Sequence, residues 1–101
     1  MSFAIPVKRL REMDSLLAFF HPQPAYPLHI LIIPKRPISS LSALDAADTE
    51  FLQNLVQVMQ SLVQEFDLEQ HGYRLIVNGG PNQDFPHLHF HLVSDHSPLE
   101  S

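Results

Sequence analysis

The sequence predicts an α+β domain in which a small antiparallel sheet packs against one long amphipathic helix. Short apolar runs at 16–20, 28–33 and 73–78 have the length of strands and lie between turn-forming residues. Apolar residues recur at helical spacing through 46–67, and residues 87–93 alternate histidine with apolar side chains. Strands and one long helix in this order are typical of the α+β class.

The composition is that of a small globular domain and argues against several classes of function. With 101 residues and 45% apolar content, the chain has the size of one domain, spanning residues 1–101. Eleven acidic and six basic residues give a formal net charge of -5, which disfavours a nucleic-acid partner. The lack of cysteine excludes disulfides and thiol catalysis. No stretch resembles a signal peptide or could span a membrane, so we expect a cytoplasmic protein.

The N-terminal part of the chain is predicted to form three strands. Val7–Met13 is expected to be an exposed edge strand, and Leu16–Phe20 a buried strand that ends before the prolines of 22–24. Leu28–Ile33 is rich in β-branched residues and is expected to be the central strand. His29 interrupts it, either as a core histidine bonded to a backbone carbonyl or as a site residue beside the later histidines. We favour the second interpretation, because an unpaired imidazole in a core is costly.

The helix signal follows a loop at 34–42. Asp45 can cap the helix, with Asp48 three residues later in a box-like arrangement. Two adjoining apolar stripes run along it: Phe51, Leu55, Val58, Leu62 and Phe66 in the first, and Leu52, Val56, Met59 and Val63 in the second. The polar face carries mainly uncharged amides, which suits either a partner helix or ordinary solvation.

The C-terminal part is predicted to form a hairpin. Gly72 suits a turn after the helix, and Tyr73–Asn78 is expected to be a strand. A tight loop at 79–82 then leads to a strand over Phe85–Val93. The polar residues 94–101 are expected to form a frayed tail.

The histidine strand is the candidate functional element. Its apolar residues would face a core, while His87, His89 and His91 would share the opposite face. Histidine has no strong strand preference, so propensity does not explain three of them in register. We therefore interpret these three histidines as a site, and not as a solvated strand face.

Phosphate chemistry is the function that this constellation favours. In a hairpin, Asn78 and the glycine loop lie near the histidines, so Asn78, Gln83 and the amides around Gly80 could hold phosphate oxygens. A neutral imidazole is a capable nucleophile toward phosphorus if its other nitrogen is held by a hydrogen bond. Neighbouring imidazoles could then stabilise charge on the transferring group.

A metal site is the competing interpretation. Adjacent histidines on one face of a strand can chelate zinc, with a third ligand from His29, Asp84 or His96. Nothing in the spacing demands such a ligand. We therefore predict no metal and no cofactor.

Residues His87–Val93 resemble the defining motif of the histidine triad (HIT) superfamily, His-apolar-His-apolar-His-apolar-apolar. Segments at 5–19, 27–35 and 72–78 are similar to the Hint branch of that superfamily. The resemblance covers nearly all of residues 5–95, although the chain as given begins after the position where the family's N-terminal helix would end.

The resemblance implies a fold, an activity and an assembly. It implies a HIT-like fold and a nucleotide hydrolase or transferase that attacks the α-phosphate of AMP-type substrates, either phosphoramidates or dinucleoside polyphosphates. Such proteins are typically homodimers that act on purine nucleotides. His89 would be the nucleophile and form a nucleotidyl-histidine. His91 would contact the phosphoryl group, with His87 and His29 in supporting roles and Asn78 beside the phosphate or ribose.

Two candidate substrate-binding positions depart from the family's pattern. His21, close to Phe19, stands where the family usually has an aspartate for the ribose hydroxyls. Asp84 stands where the Hint branch has a serine near the leaving group. These departures favour one alternative, a nucleotide-binding module that has lost turnover, which the intact triad opposes. A metal-dependent hydrolase is a separate alternative.

Overall fold

The computed structural model of the protein describes residues 9–98. It contains five strands, namely β1 (Arg9–Glu12), β2 (Leu16–Phe20), β3 (Leu28–Pro34), β4 (Arg74–Val77) and β5 (Phe90–Ser94). The long helix α1 spans Thr49–Glu65, the short helix α2 spans Leu68–His71, and single 3-10 turns lie at Leu41–Ala43, Ala46–Asp48 and Gly80–Asn82.

The strands form one antiparallel sheet in the order β1-β2-β3-β5-β4. The central position of β3 and the edge position of β1 confirm the predictions for 28–33 and for residues 9–12, while residues 7 and 8 lie outside the described range. In the ladder between β3 and β5, Leu31 pairs with His91 and His29 pairs with Val93. His29 is therefore a diagonal neighbour of His91 on the same face of the sheet, within reach of a ring.

Each face of the sheet has a different role. On one face, α1 buries the first apolar stripe against the apolar residues of β2, β3 and β5. The opposite face carries a smaller apolar cluster of Leu17, Phe19 and Ile33, with Leu31 packed against it. The histidines lie on this second face, because His29 and Leu31 alternate with the core-facing Ile30 and Ile32.

The start of the helix follows the predicted capping chemistry. The side chain of Asp45 accepts a hydrogen bond from the Ala47 backbone amide, and Asp48 accepts one from the Asp45 amide at 3.0 Å. Asp48 also accepts from the guanidinium of Arg36, which lowers the pKa of the Asp48 carboxyl. The predicted helix over 46–67 is thus one 3-10 turn followed by α1. Among residues 9–98, no helix is long and apolar enough to cross a membrane.

The return from the helices to the sheet depends on Gly72. Its φ of 87° lies in the left-handed region, where a side chain would be strained. Its carbonyl accepts a hydrogen bond from the Ser94 hydroxyl at 2.7 Å, which ties the turn to the end of β5. Strand β4 starts two residues later and pairs with β5, as the predicted hairpin requires.

Two sequence predictions need correction. Ser94, expected to begin the frayed tail, is instead the buried last residue of β5. The strand expected over Phe85–Val93 begins only at Phe90, so His87 and His89 precede β5 and lie outside the ladder. The Leu88 amide bonds instead to the Ile38 carbonyl in the 34–42 loop, at 2.7 Å. The inside-outside alternation nevertheless continues through this segment: Leu88 is buried, and both histidines remain partly exposed.

The packing of α1 on the sheet generates a stability prediction. Leu62 is fully buried in the core that α1 shares with the sheet. We expect Leu62→Ala to lower the free energy of unfolding by about 3 kcal/mol, because it removes buried methyl groups and leaves a cavity. The exposed Gln57→Ala on the same helix is the control, with a change within about 0.5 kcal/mol. Urea unfolding measures both, and equal effects would contradict this packing.

Candidate active site

A cavity of about 630 Å³ opens on the sheet face that α1 leaves uncovered. Its apolar wall comes from β2 and β3. Its polar side comes mainly from residues 87–91, called the histidine segment here. The lining residues are Phe19, His21, Leu31, Ile33, Lys35, Pro37, Asp84, Phe85, His87, His89 and His91. A few polar groups converging on an apolar pocket are typical of a small-molecule site.

His29 is buried, and both of its ring nitrogens have partners. The Ala25 backbone amide donates to its Nδ1 at 3.0 Å, and its Nε2 lies 2.9 Å from Nδ1 of His91. Because Nδ1 accepts, the proton of the neutral ring must sit on Nε2 and point at His91. Burial, with the nearby His21 and His91, lowers the pKa of His29 to about 4. His29 is therefore neutral near pH 7 and fixes the orientation of its neighbour.

The orientation of His91 follows from this bond. Its Nδ1 accepts the proton of His29, so the neutral ring carries its own proton on Nε2. Burial, together with the neighbouring His89 and His21, lowers the pKa of His91. His91 lines the cavity, so its remaining N–H group is available to an oxygen atom bound there.

His89 carries the opposite tautomer. Its Nδ1 lies 2.7 Å from the backbone carbonyl of His87, which can only accept, so this nitrogen holds the proton. Nε2 of the neutral ring then has a free lone pair. The ring is 5.0 Å from that of His91, centre to centre. His89 thus presents a lone pair on Nε2 next to the N–H group of His91.

His87 and His21 complete the polar side of the cavity. Nε2 of His87 donates to the Pro34 carbonyl at 3.3 Å, which ties the histidine segment to the end of β3. Nδ1 of His21 accepts from the Gln23 amide at 3.0 Å, so the neutral ring carries its proton on Nε2. The His21 ring lies 4.4 Å from that of His29, and burial lowers the pKa of His21.

The structure brings together most of the predicted site residues, but not all of them. His87, His89, His91, His21, Phe19 and Asp84 line the cavity, and His29 contacts His21 and His91. Gly80 and Gln83 line a neighbouring cavity instead, where the Gln83 amide donates to the Ser39 and Phe85 carbonyls. Asn78 is absent from the lining of either cavity.

Several cavity residues were not identified from the sequence. Leu31 and Ile33 share a strand face with His29, so the alternation of β3 contained a usable signal for them. Phe85 is 62% exposed, which is unusual for a phenylalanine, but exposure is visible only in the structure. Lys35 and Pro37 reach the cavity through the loop after β3, whose path the sequence does not specify.

His21, His29 and His91 form a group that could hold a metal ion. One ring nitrogen from each lies within 4.8 Å of the others. Imidazole ligands suit zinc, but each ligand must offer a lone pair. The ring nitrogens of His29 are engaged with Ala25 and His91, so binding would require one of these hydrogen bonds to break. The neutral, hydrogen-bonded arrangement accounts for these side chains without an ion.

Comparisons with known proteins agree on the family. The family model of the HIT domain matches residues 2–97. An uncharacterised HIT-like protein of Synechococcus elongatus is 37% identical over 95 residues, which make up 92% of this chain and 82% of that protein. A HIT family hydrolase from Legionella pneumophila Philadelphia 1 has a similar crystal structure, with a TM-score of 0.82 and 34% identity over 92% of this chain and 85% of its own.

A histidine triad nucleotide-binding protein from Candida albicans also has a similar structure. Its TM-score is 0.76 at 29% identity, with 87% of this chain and 65% of that chain covered. The fold, the histidine segment and these matches place the chain in the class of HIT-fold proteins, some of which are hydrolases. The chain belongs to the HIT family.

The buried neutral His29 generates a prediction for stability against pH. The unfolded chain protonates this histidine near its ordinary pKa of 6.5, whereas the folded chain does so only near about 4. Between these values the unfolded state binds more protons, so the free energy of unfolding rises with pH across the window and falls on acidification. His29→Asn should have a shallower dependence there. Urea unfolding from pH 4.5 to 7 measures it, and equal slopes for both proteins would contradict the assignment.

Proposed function

We propose that the protein is a nucleotide hydrolase or transferase that attacks the α-phosphate of AMP-type substrates through a nucleotidyl-histidine intermediate. The single observation that carries the proposal is a pair of hydrogen bonds, which assigns opposite tautomers to His89 and His91. His89 offers a lone pair to the cavity, because its Nδ1 proton is held by the His87 carbonyl. His91 offers an N–H group, because its Nδ1 accepts from His29.

In the first step, Nε2 of His89 attacks the α-phosphorus, and the bond from phosphorus to the leaving group breaks with its electron pair. The imidazole becomes positively charged as the nitrogen–phosphorus bond forms. The His87 carbonyl, 2.7 Å from Nδ1, accepts a hydrogen bond that strengthens as this charge develops. The leaving group takes up a proton from water, and the water that attacks in the second step releases a proton that balances it. The hydrogen bond to the His87 carbonyl supports His89 as the nucleophile, because it orients the ring and leaves Nε2 free to attack.

In the second step, water attacks the phosphorus and the bond to His89 breaks, which returns the lone pair to Nε2. The products are a nucleoside monophosphate and the protonated leaving group, and one water is consumed. His91 donates to a phosphoryl oxygen in both steps and stabilises the added negative charge. His29 acts as a positioning residue, since it holds the His91 proton on the cavity side.

The apolar wall supports a nucleoside as the bound group. Phe19, Leu31 and Ile33 present an apolar surface next to the histidines, which suits a purine ring. His21 carries a proton on Nε2 and could donate to a ribose hydroxyl, where the family usually has an acceptor. The Candida albicans protein of similar fold is named as nucleotide-binding, which agrees with this assignment.

A homodimer is part of the same proposal. The second apolar stripe of α1 stays partly open to solvent, with Leu52 and Val56 at 40% and 54% exposure. Tyr73 and Leu75, beside and within the edge strand β4, are each 41% exposed. A second copy that covered this stripe and paired along β4 would remove apolar area from water at about 25 cal/mol per Å².

The nucleophile assignment predicts the result of replacing His89. We expect His89→Asn to keep nucleotide binding but to lose hydrolysis by at least about 10³-fold, because an amide cannot replace the attacking nitrogen. His91→Asn should slow turnover and let the intermediate accumulate. The assay is AMP release from adenosine phosphoramidate and diadenosine polyphosphate, with intact-protein mass spectrometry after acid-free quenching.

The matched control for that experiment is His96→Asn. His96 stacks on His71, with ring centres 3.6 Å apart, and does not line the cavity. Turnover by the His89 variant near the wild-type rate, or an adduct on that variant, contradicts the nucleophile assignment. If the wild type binds AMP yet neither labels nor turns over any adenylated substrate, a binding module is the better description.

The proposed dimer predicts the effect of placing a charge on the second apolar stripe of α1. Val56→Asp should convert a dimer into a monomer, because the carboxylate would be buried without a partner in the interface. Gln57→Asp introduces the same charge at an exposed position of α1 that lies about 100° around the helix from Val56, away from the second stripe, and should remain dimeric. Light scattering at micromolar concentration measures both masses, and a monomeric wild type would rule out the dimer.

A further inference from the structure

Asp84 lies at the boundary between two cavities. The first is the cavity of about 630 Å³ described above, called the histidine cavity here, and the second is the neighbouring cavity lined by Gly80 and Gln83. The second cavity has a volume of about 670 Å³ and is lined in part by Ser39, Ser40 and Ser42. Asp84 lines both cavities, and it follows Gln83, whose amide fixes the loop to the Ser39 carbonyl. A group that leaves the histidine cavity on this side therefore passes the Asp84 carboxylate.

The carboxylate is close to the attacking atom and remains accessible. Oδ1 of Asp84 lies 3.8 Å from Nε2 of His89, and the side chain is 92% exposed. Within residues 9–98, His89 is the one basic side chain within 4.0 Å of it. The lysine of the cavity, Lys35, is already paired with Glu12 at 2.7 Å. The negative charge of Asp84 is thus available to a ligand.

An exposed aromatic ring stands next to this charge. Phe85 is 62% exposed and lines the histidine cavity, with its ring centre 6.4 Å from that of His89. The face of an aromatic ring attracts cations, and a neighbouring carboxylate adds a full opposite charge. Together the two side chains form a surface that suits an ammonium group and disfavours a phosphate or carboxylate.

We propose that Asp84 selects the leaving group by charge, so that the substrates are nucleoside phosphoramidates whose leaving amine carries a second, cationic group. This inference rests on the proposed function, because it assumes attack by His89 on phosphorus. The α-phosphate is repelled by Asp84 in every substrate, so this repulsion cancels when substrates are compared. The charge on the leaving group does not cancel. A cation is attracted as it moves past Asp84 into the serine-lined cavity, whereas a polyphosphate is repelled.

The size of the effect follows from the exposure of the carboxylate. Two unit charges a few ångströms apart near a protein surface change a rate by about tenfold, and salt weakens the interaction. We therefore expect kcat/KM to fall by about tenfold from a cationic to a neutral leaving group, and by a similar factor from neutral to anionic. These ratios should shrink as ionic strength rises.

The experiment uses three adenosine 5′-phosphoramidates with the same phosphorus–nitrogen bond and the same alkyl chain. The chains end in an ammonium, a methyl and a carboxylate group. In each reaction the P–N bond breaks with its electron pair on nitrogen, the amine takes up a proton, and water supplies the hydroxyl group of AMP. The wild type should rank the substrates ammonium, methyl, carboxylate, and Asp84→Asn should bring the three values of kcat/KM together.

The control variant is Asp95→Asn, which removes one exposed carboxylate at the far end of β5. Asp95 is 78% exposed and lies six residues after His89, at a distance of roughly 20 Å along an extended chain. It should keep the wild-type ranking, which separates a local effect from a change in net charge.

The possible outcomes separate charge selection by Asp84 from an effect of net charge and from failure of the proposed function. If all three substrates turn over at similar rates in the wild type, or if Asp84→Asn keeps the ranking, charge selection by Asp84 is wrong while the proposed function stands. If the Asp95 variant loses the ranking as well, the effect comes from net charge and the assignment to Asp84 is also wrong. If no substrate releases AMP, the proposed function fails and this inference fails with it.

Discussion

The hydrogen bond between His29 and His91 is the contact on which the site depends. Its length is 2.9 Å, and its direction is fixed by the Ala25 amide, which donates to the other nitrogen of His29. That backbone proton forces His29 to donate to His91, so His91 must present its own proton to the cavity. A loop amide between β2 and β3 thereby sets the chemistry of a side chain on β5. The low pKa of His29 keeps its ring neutral near pH 7, and burial lowers the pKa of His91 as well.

The sheet allows this arrangement because its two faces have different tasks. Helix α1 covers one face with apolar contacts, and its buried first stripe packs against the apolar residues of β2, β3 and β5 to form the core. The opposite face is then free for the histidines and for the apolar wall of Phe19, Leu31 and Ile33. The alternation of strand residues produces both surfaces from the same segments. Substitutions in the core and in the site therefore act on different faces, and we expect their effects on stability and turnover to be largely separable.

The segment before β5 departs from the regular ladder, and this departure gives the site its shape. His87 and His89 are held by carbonyl groups instead of by strand pairing, at Pro34 for His87 and at His87 itself for His89. The bond from the Leu88 amide to the Ile38 carbonyl ties the segment to the loop after β3. A regular strand would bond the His87 carbonyl to a neighbouring strand. Because this carbonyl faces the Nδ1 proton of His89, it leaves Nε2 as the free nitrogen of that ring.

The sequence by itself determined the fold class, the strand order along the chain, the capped helix and the inward and outward sides of each strand, because these follow from local periodicity and capping chemistry. It also identified the histidines as one group and placed His29 with them. Tertiary structure alone decided that His91 carries its proton on Nε2, since the hydrogen bond that sets it joins His29 and His91, which are 62 residues apart. It also put Gly80 and Gln83 at a second cavity and Asp84 3.8 Å from His89. Loop paths and long-range hydrogen bonds depend on contacts between distant segments, which no local pattern encodes.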